Sequence, residues 1–243
     1  YNRVFELSRG EFFKWLAHDD TCTPDLLERC VEFLDQNPSV VLCHSKIRII
    51  NAQGKVLDKS DKLYEWVSTG TLKLNTDSSQ PHERFRDIIG PHPCYQVFGV
   101  IRASALRKTS LIDSYSGSDR ILLARLALLG QFYEFPDELL CLRRHLEQSM
   151  QALETHRSAH KYTHWFDTST IGKIILPHWR MFREILISIE QAPLSLQERV
   201  GCYLAIIPWL RRSRKGMIED LILAAKQMSG RLFINFKKEY ADS

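Results

Sequence analysis

The sequence predicts an α/β fold with a mostly parallel sheet flanked by helices, followed by an all-helical C-terminal region. Short apolar runs alternate with segments of helical periodicity over residues 1–150. Only helical patterns follow, so we assign residues 1–150 to an α/β domain and residues 151–243 to a helical, basic region. No apolar run approaches the roughly 20 residues that a membrane-spanning helix needs.

The first elements are predicted from apolar runs and from helix boundaries. Residues 11–17 are short, apolar and aromatic, which indicates a buried strand. A helix is expected next, with Thr23 as its N-cap, and Pro38 ends it. A core strand is expected over 39–43 and continues over 47–50, where β-branched residues are frequent.

Later elements are predicted from the same signals. Gly99 lies inside a strand-like run, which indicates close approach of a ligand or of another backbone. The remaining predicted elements are, in order, a turn at 52–54, a loop over 58–80, a helix over 81–89, a strand over 96–101, a helix over 119–129 capped by Ser118, strands over 132–135 and 139–142, a helix over 177–190, a helix opened by a capping box at 195–198 and interrupted by Pro208, and a helix over 216–229.

Cysteine usage and charge indicate a compartment and a possible contact surface. Six cysteines are present without a C-x-x-C pair, which favours reduced thiols in a cytoplasmic protein over a disulfide framework. Residues 1–150 carry 19 Lys and Arg against 20 Asp and Glu, whereas residues 151–243 carry 14 against 9. The excess positive charge of the second region suits anionic lipid headgroups or a phosphorylated substrate, but a solvated basic face explains it equally.

Three acidic residues are candidates for chemistry. Asp19 and Asp20 directly follow an apolar strand, where carboxylates in open α/β sheets hold a divalent cation and a diphosphate. Asp119 follows a Gly/Ser turn at a helix start, and it is placed to accept a proton from a hydroxyl. A structural explanation competes in each case, because aspartate in the first turn of a helix stabilises that helix.

A basic cluster follows the last predicted strand. Arg143, Arg144 and His145 are adjacent there. Guanidinium groups bind phosphate oxygens in a bidentate manner, and imidazole adds a hydrogen bond or a metal contact. A solvated basic strand end is the alternative.

Taken in order, these segments resemble family 2 glycosyltransferases over residues 1–150. The run 10–20 resembles the strand and acidic motif of that family, and 24–35 resembles the helix that follows. Residues 97–107 resemble the acceptor-side strand and helix. Ser118-Asp119 and the leucines up to Gly130 resemble the family segment E-D-x-x-L…L…G.

The resemblance implies a GT-A fold, a Rossmann-like sheet that uses a nucleotide-sugar donor with Mg²⁺ or Mn²⁺. Asp19 and Asp20 match the metal-binding end of the acidic motif, and Asp119 matches the catalytic base of an inverting hexosyl transfer. Arg143, Arg144 and His145 fall where the family places donor-phosphate or acceptor contacts. The acceptor would be a saccharide or a lipid-linked molecule in polysaccharide biosynthesis, and no nucleic acid is expected. The family's opening βα units would precede Tyr1.

Two departures from the family pattern leave a second hypothesis open. Ala17 stands where the acidic motif usually begins, and Ser118 stands where a glutamate is common. A catalytically degenerate GT-A module that serves as a binding or assembly subunit therefore remains an alternative. The oligomeric state is not predicted.

The helical region carries a third hypothesis. Its aromatic and basic residues would dock peripherally on the inner face of a membrane, whereas packing on the α/β core or an oligomer contact would use them differently. The residues in question are Trp179, Phe182, Trp209, Leu210, Arg211, Arg212, Arg214 and Lys215.

Overall fold

A computed structural model of the protein describes residues 2–58, 73–145 and 159–241, with side chains up to residue 229. Within these residues five strands form one sheet in the order β1-β4-β3-β5-β2. Their bounds are Phe12–Phe13 for β1, Thr21–Cys22 for β2, Val40–Asn51 for β3, Val100–Arg102 for β4 and Gln131–Arg144 for β5. Most of the predicted loop over 58–80 lies outside the described residues.

The sheet is mixed, which corrects the expectation of mostly parallel strands. The two long strands β3 and β5 are parallel, but the described pairs β1–β4, β3–β4 and β2–β5 are antiparallel. Parallel neighbours need a long crossover, and helices lie between β3 and β5 in the chain. The other strands have only two or three residues and are entered from loops, so the alternation of strands and helices overestimated the parallel content.

Two of the predicted strands are shorter than expected, and two others form a single strand. Of residues 11–17 only Phe12–Phe13 pair, at the sheet edge. Of residues 96–101 the first part is a 3₁₀ turn, Tyr95–Phe98, entered from Cys94 at φ 57. Conversely, 132–135 and 139–142 belong to the single strand β5, whose register with β3 shifts next to Pro136.

Helices surround the sheet and dominate the C-terminal region. Asp25 rather than Thr23 is the N-cap of α2, and Gly117 rather than Ser118 is the N-cap of α5. The capping box at Ser195 is confirmed. The helices are α1 Asn2–Leu7, α2 Leu26–Gln36, α3 Pro81–Ile88, α4 Ala103–Leu106, α5 Ser118–Leu129, α6 Ala159–Phe166, α7 Pro177–Gln191, α8 Leu196–Ala205 and α9 Ile207–Ala241.

The largest core cluster joins both regions of the chain. Helix α5 is buried along nearly its whole length, which explains its run of leucine and alanine. Ile185 and Ile189 of α7, Cys202 of α8 and Trp209 of α9 belong to the same apolar cluster as α5 and β3. The assignment of residues 1–150 and 151–243 to two separate regions stays a prediction.

Two global expectations can be compared with the structure. All six cysteines are free thiols. Within the described residues, no helix combines the length and apolarity required to cross a bilayer.

Candidate active site

The acidic turn at Asp19 and Asp20 is fastened to the end of β5. The Oδ1 atom of Asp20 accepts the backbone N–H of Arg143 at 2.9 Å, and the carbonyl of Asp19 accepts Nε of Arg143 at 2.7 Å. Burial raises the pKa of Asp20, the Arg143 N–H lowers it, and the neighbouring Asp19 charge raises it again. The first acidic pair and the basic cluster therefore form one site.

Arg143 serves this site mainly as a structural tie. Beyond Asp19, its Nη1 atom donates to the carbonyls of Asn51 at 3.0 Å and Ala52 at 2.8 Å. The guanidinium thus holds the ends of β3 and β5 and the acidic turn together. Phosphate contact by Arg143 stays a prediction, and these carbonyls compete for the same N–H groups.

The carboxylate of Asp19 lies between two imidazoles. Its Oδ2 atom is 3.5 Å from Nε2 of His145, and its Oδ1 atom is 3.8 Å from Nδ1 of the exposed His18. The side chain of Asp19 keeps partial access to solvent. A carboxylate in this setting is accessible to a substrate-bound cation.

Arg144 faces Tyr95, which the sequence analysis did not single out. Its Nη2 atom donates to the phenol oxygen of Tyr95 at 3.1 Å, and its Nη1 atom donates to the Arg143 carbonyl at 3.1 Å. The positive charge of Arg144 also lowers the pKa of nearby Asp20. Tyr95 begins the 3₁₀ turn, so this hydrogen bond ties the basic cluster to the loop before β4.

Lys14 is a second residue that the sequence analysis missed. Its ammonium donates to the carbonyl of Phe98, and burial lowers its pKa, while Cys22, Cys30 and Asp20 raise it. A lysine inside the apolar run 11–17 was the available signal. Lys14 thus places a partly buried positive charge near Asp20 and ties the strand β1 segment to the end of the 3₁₀ turn.

Asp119 sits in the first turn of α5. Gly117 adopts φ 84, a left-handed conformation that starts the helix, and Oδ1 of Asp119 accepts the N–H of Arg120 at 2.8 Å. Both the catalytic and the helix-stabilising interpretations of this carboxylate fit these contacts.

Arg120 joins Asp119 to the loop that carries Tyr95. Its guanidinium donates to the carbonyls of Ile88 at 3.1 Å and His92 at 2.7 Å, and also to that of Gly90. Arg120 is adjacent to Asp119, and the loop that it binds continues to Tyr95, which contacts Arg144. The same loop therefore connects Asp119 with the group around Asp19, Asp20 and Arg144.

His92 stabilises the same loop in its neutral form. Its Nδ1 atom accepts the N–H of Cys94 at 3.1 Å, so Nε2 carries the proton and donates to the carbonyl of Ile88 at 2.8 Å. Burial and then the Arg120 charge lower the pKa of His92 to about 4. The left-handed turn at Cys94 is thereby fixed next to Tyr95.

An aromatic side chain from α6 borders Asp119. Burial raises the pKa of Tyr162, and the negative charges of Asp119 and then Cys94 raise it further. Tyr162 also stacks on Trp165, with ring centroids 5.5 Å apart. No sequence signal indicated this neighbour, because α6 follows Asp119 by about 40 residues.

Ligands for a metal ion are few at this site. No group of three His, Cys, Asp or Glu side chains suited to a metal occurs among residues 2–58, 73–145 and 159–229. Of the two acids, Asp20 accepts the Arg143 N–H, and Asp19 lies against His145 and His18.

The comparisons with known proteins bear on the first part of the chain. Residues 1–109 match the family model of Glycosyl transferase family 2. The segment contains Asp19, Asp20 and Tyr95, whereas Asp119 and the basic cluster follow it in the chain. No curated protein sequence matches the chain.

One solved structure shares the fold of this chain. The crystal structure of S. aureus TarS 1–349 in complex with UDP-GlcNAc has a TM-score of 0.52 at 12% identity, and the match covers 93% of this chain. A second structure, of S. aureus TarS 1–349, has a TM-score of 0.41 at 13% identity over 94% of this chain and 69% of its own. The chain spans 60% of the length of the first structure. The fold is that of a GT-A glycosyltransferase.

Proposed function

We propose that the protein transfers a sugar from a nucleotide-sugar donor to an acceptor hydroxyl. The observation that carries the proposal is the contact between the family 2 acidic turn and the basic end of β5, through Asp20 and Arg143. A site that binds a diphosphate needs cations beside carboxylates in this way. The TarS structure with UDP-GlcNAc supports a nucleotide-sugar as the donor.

On the donor side, Arg144 and His145 would bind the diphosphate. The Arg144 guanidinium is oriented by Tyr95 and keeps further N–H groups for phosphate oxygens. Mg²⁺ or Mn²⁺, held by Asp19 with diphosphate oxygens and with Asp20 as the weaker ligand, would neutralise charge on the leaving group. Asp20 and Arg143 keep the turn and the strand end at a fixed distance.

On the acceptor side, Asp119 would act as general base. Its carboxylate takes the proton of the acceptor hydroxyl as that oxygen attacks the anomeric carbon. The bond from that carbon to the diphosphate breaks, and the leaving nucleoside diphosphate keeps the electron pair. Attack on the face opposite the leaving group inverts the anomeric configuration.

Asp119→Asn tests the base. This substitution preserves size and an acceptor oxygen for the Arg120 N–H, so we expect the fold to persist while transfer falls by about 10²–10⁴-fold. Transfer is measured with the full-length protein, as release of the nucleoside diphosphate. Asp113→Asn, at an exposed position on the loop that precedes α5, is the matched control. Normal turnover of Asp119→Asn would reject the assignment.

Asp19→Ala tests the donor side. The Arg143 bond to the Asp19 carbonyl is a backbone contact, so it survives the substitution. We expect calorimetric titration with UDP and Mn²⁺ to give at least about tenfold weaker binding, the range seen when metal-site partners are removed. Asp35→Ala, exposed on α2, is the control. Unchanged affinity would count against a cation at Asp19.

A catalytically degenerate module is the second candidate. Ala17 and Ser118 favour it, because each replaces an acidic residue of the family pattern. Such a module would bind UDP with no hydrolysis or transfer. Release of nucleoside diphosphate that depends on a divalent cation would exclude this candidate.

We propose that the reaction takes place in the cytoplasm, where nucleotide-sugars are the donors and thiols stay reduced. The six free cysteines support this compartment. The acceptor, a saccharide or a lipid-linked molecule, would approach from the Asp119 side.

A further inference from the structure

One side of α9 is apolar and exposed. Residues spaced by three, four and seven along the helix point to the same side, where five large apolar side chains are between 39% and 56% exposed. We call this surface the α9 stripe; its apolar members are Ile207, Ile218, Leu221, Ile222 and Met228. A neighbouring side of the helix is buried through Trp209, Met217 and Ala224, and Met217 lies next to Met228 around the helix axis.

Cationic residues interrupt and border the α9 stripe. Arg211 and Arg214 lie between Ile207 and Ile218 on the same side of the helix, Lys215 lies at its margin, and Arg212 lies farther around the helix. All four side chains are exposed, and none forms an ion pair with another residue that the structure describes. Such a surface is both apolar and strongly basic.

Acidic residues of α9 are turned away from the stripe. Asp220 is fully buried and accepts hydrogen bonds from His160 and His178, at 2.9 and 3.0 Å from its Oδ1 atom. Glu219 is exposed on the flank beyond Lys215. The positive charge of the stripe is therefore not neutralised on its own side over residues 207–229.

We propose that the α9 stripe docks on the surface of an anionic lipid bilayer. A helix that lies in the membrane interface presents apolar side chains to the acyl boundary and Lys or Arg to the headgroups. From Ile207 to Met228 the stripe is about 30 Å long at the usual helical rise. Its alternation of arginine and isoleucine matches the charge and the polarity gradient of such an interface.

A second copy of the chain fits the stripe less well. A two-fold contact places the same patch against itself, so Arg211 and Arg214 of both copies would face one another. Like charges without counter-ions oppose such a contact. An anionic lipid surface supplies the missing charges.

The docking residues differ from those that the sequence suggested. Phe182 stacks on Trp209 with centroids 6.1 Å apart, and Trp209 is only 7% exposed. These aromatic side chains belong to the core, so packing rather than lipid contact explains them. The basic residues Arg211 and Arg214 remain in the proposed surface.

Vesicle co-sedimentation of the 243-residue chain tests this surface. Equal parts of phosphatidylglycerol and phosphatidylcholine supply the anionic probe, and phosphatidylcholine alone supplies the neutral one. Each cationic residue near an anionic surface strengthens binding about fivefold. We therefore expect Arg211→Gln with Arg214→Gln to weaken binding about 25-fold, and high salt to reproduce the loss. Lys108→Gln with Lys173→Gln is the charge-matched control.

A second pair of variants tests the apolar part. Ile218→Ser with Ile222→Ser alters only exposed side chains, so circular dichroism should remain unchanged while binding to anionic vesicles falls. Equal binding to neutral and anionic vesicles, or equal losses in the control variant, would overturn the proposal. A dimer in light scattering that the Ile218/Ile222 variant dissolves would assign the stripe to a second copy instead. Because lipid binding is the readout, this result is independent of sugar transfer.

Discussion

Replacing Glu184 with glutamine should destabilise the protein more than any exposed substitution on the same helix. Glu184 of α7 and Arg125 of α5 form an ion pair with Nη2 and Oε2 3.1 Å apart, and both side chains are 9% exposed. Among the residues that the structure describes, Arg125 otherwise donates to the hydroxyls of Ser188 and Ser110. Glutamine at 184 would leave the buried guanidinium without a counter-charge.

The magnitude follows from this environment. Breaking a buried ion pair from one side costs about 3–5 kcal/mol of unfolding free energy. Glutamine keeps one acceptor oxygen, so we expect a loss of about 3 kcal/mol. Arg125→Met should cost less, because Arg180 and Arg183 remain within 3.6 and 3.1 Å of Glu184 and are partly exposed. Apolar replacement of both partners should recover part of the loss.

Urea unfolding measures this loss. Far-ultraviolet circular dichroism and tryptophan fluorescence should shift together, because α5 and α7 share one core cluster. Glu190→Gln, on the same helix but exposed and paired with Arg199, should change the unfolding free energy by less than about 1 kcal/mol. A Glu184→Gln protein as stable as this control would refute the reasoning, and two separate transitions would instead support independent regions at 1–150 and 151–243.

Two further predictions concern the loop before β4 and the buried histidines. Arg120→Lys should lower transfer by about 10²-fold with native circular dichroism, because one ammonium cannot reach three carbonyls and the loop would shift relative to Asp119; unchanged initial rates would contradict it. Burial lowers the pKa of His44 from 6.5 to about 4, so the unfolded chain binds protons first, and stability should fall from about pH 6.5 to pH 4 and then level off. In urea unfolding across that pH range, His44→Gln should reduce the slope of the unfolding free energy against pH, while His92 still contributes to it. An unchanged slope would exclude His44 as a cause of the pH dependence.

Helix positions were predictable because their signals are local. Asn37 and Pro38 end α2 at the expected place, and Ser195 with Glu198 forms the capping box that opens α8. Each signal involves residues within four positions of one another, so the sequence contains the whole interaction. The division between α8 and α9 next to Pro208 follows for the same reason.

Strand pairing was less predictable because distant residues decide it. The run 96–101 has the composition of a strand, yet Lys14 holds the Phe98 carbonyl and the chain forms a 3₁₀ turn there. Gly99 did indicate close approach, since an added Cβ would lie 2.6 Å from the carbonyl oxygen of Cys43. The sequence could not tell whether a ligand or a backbone was the neighbour.

The candidate site likewise combines residues that the sequence predicted with contacts that it could not predict. Residues 19–20 and 143–145 were each predicted from their position after an apolar strand, and the structure brings Asp20 and Arg143 into contact. The contacts that join this group to Asp119 are side chain to carbonyl bonds from Arg120 and a phenol contact from Tyr95. Such hydrogen bonds correspond to no periodicity and no motif in the amino-acid sequence. A glycosyltransferase with this arrangement would depend on the loop between Ile88 and Tyr95 to keep Asp119, the proposed base, at a productive distance from Arg144, the proposed donor-binding residue. Arg120 is therefore as informative a target as either carboxylate.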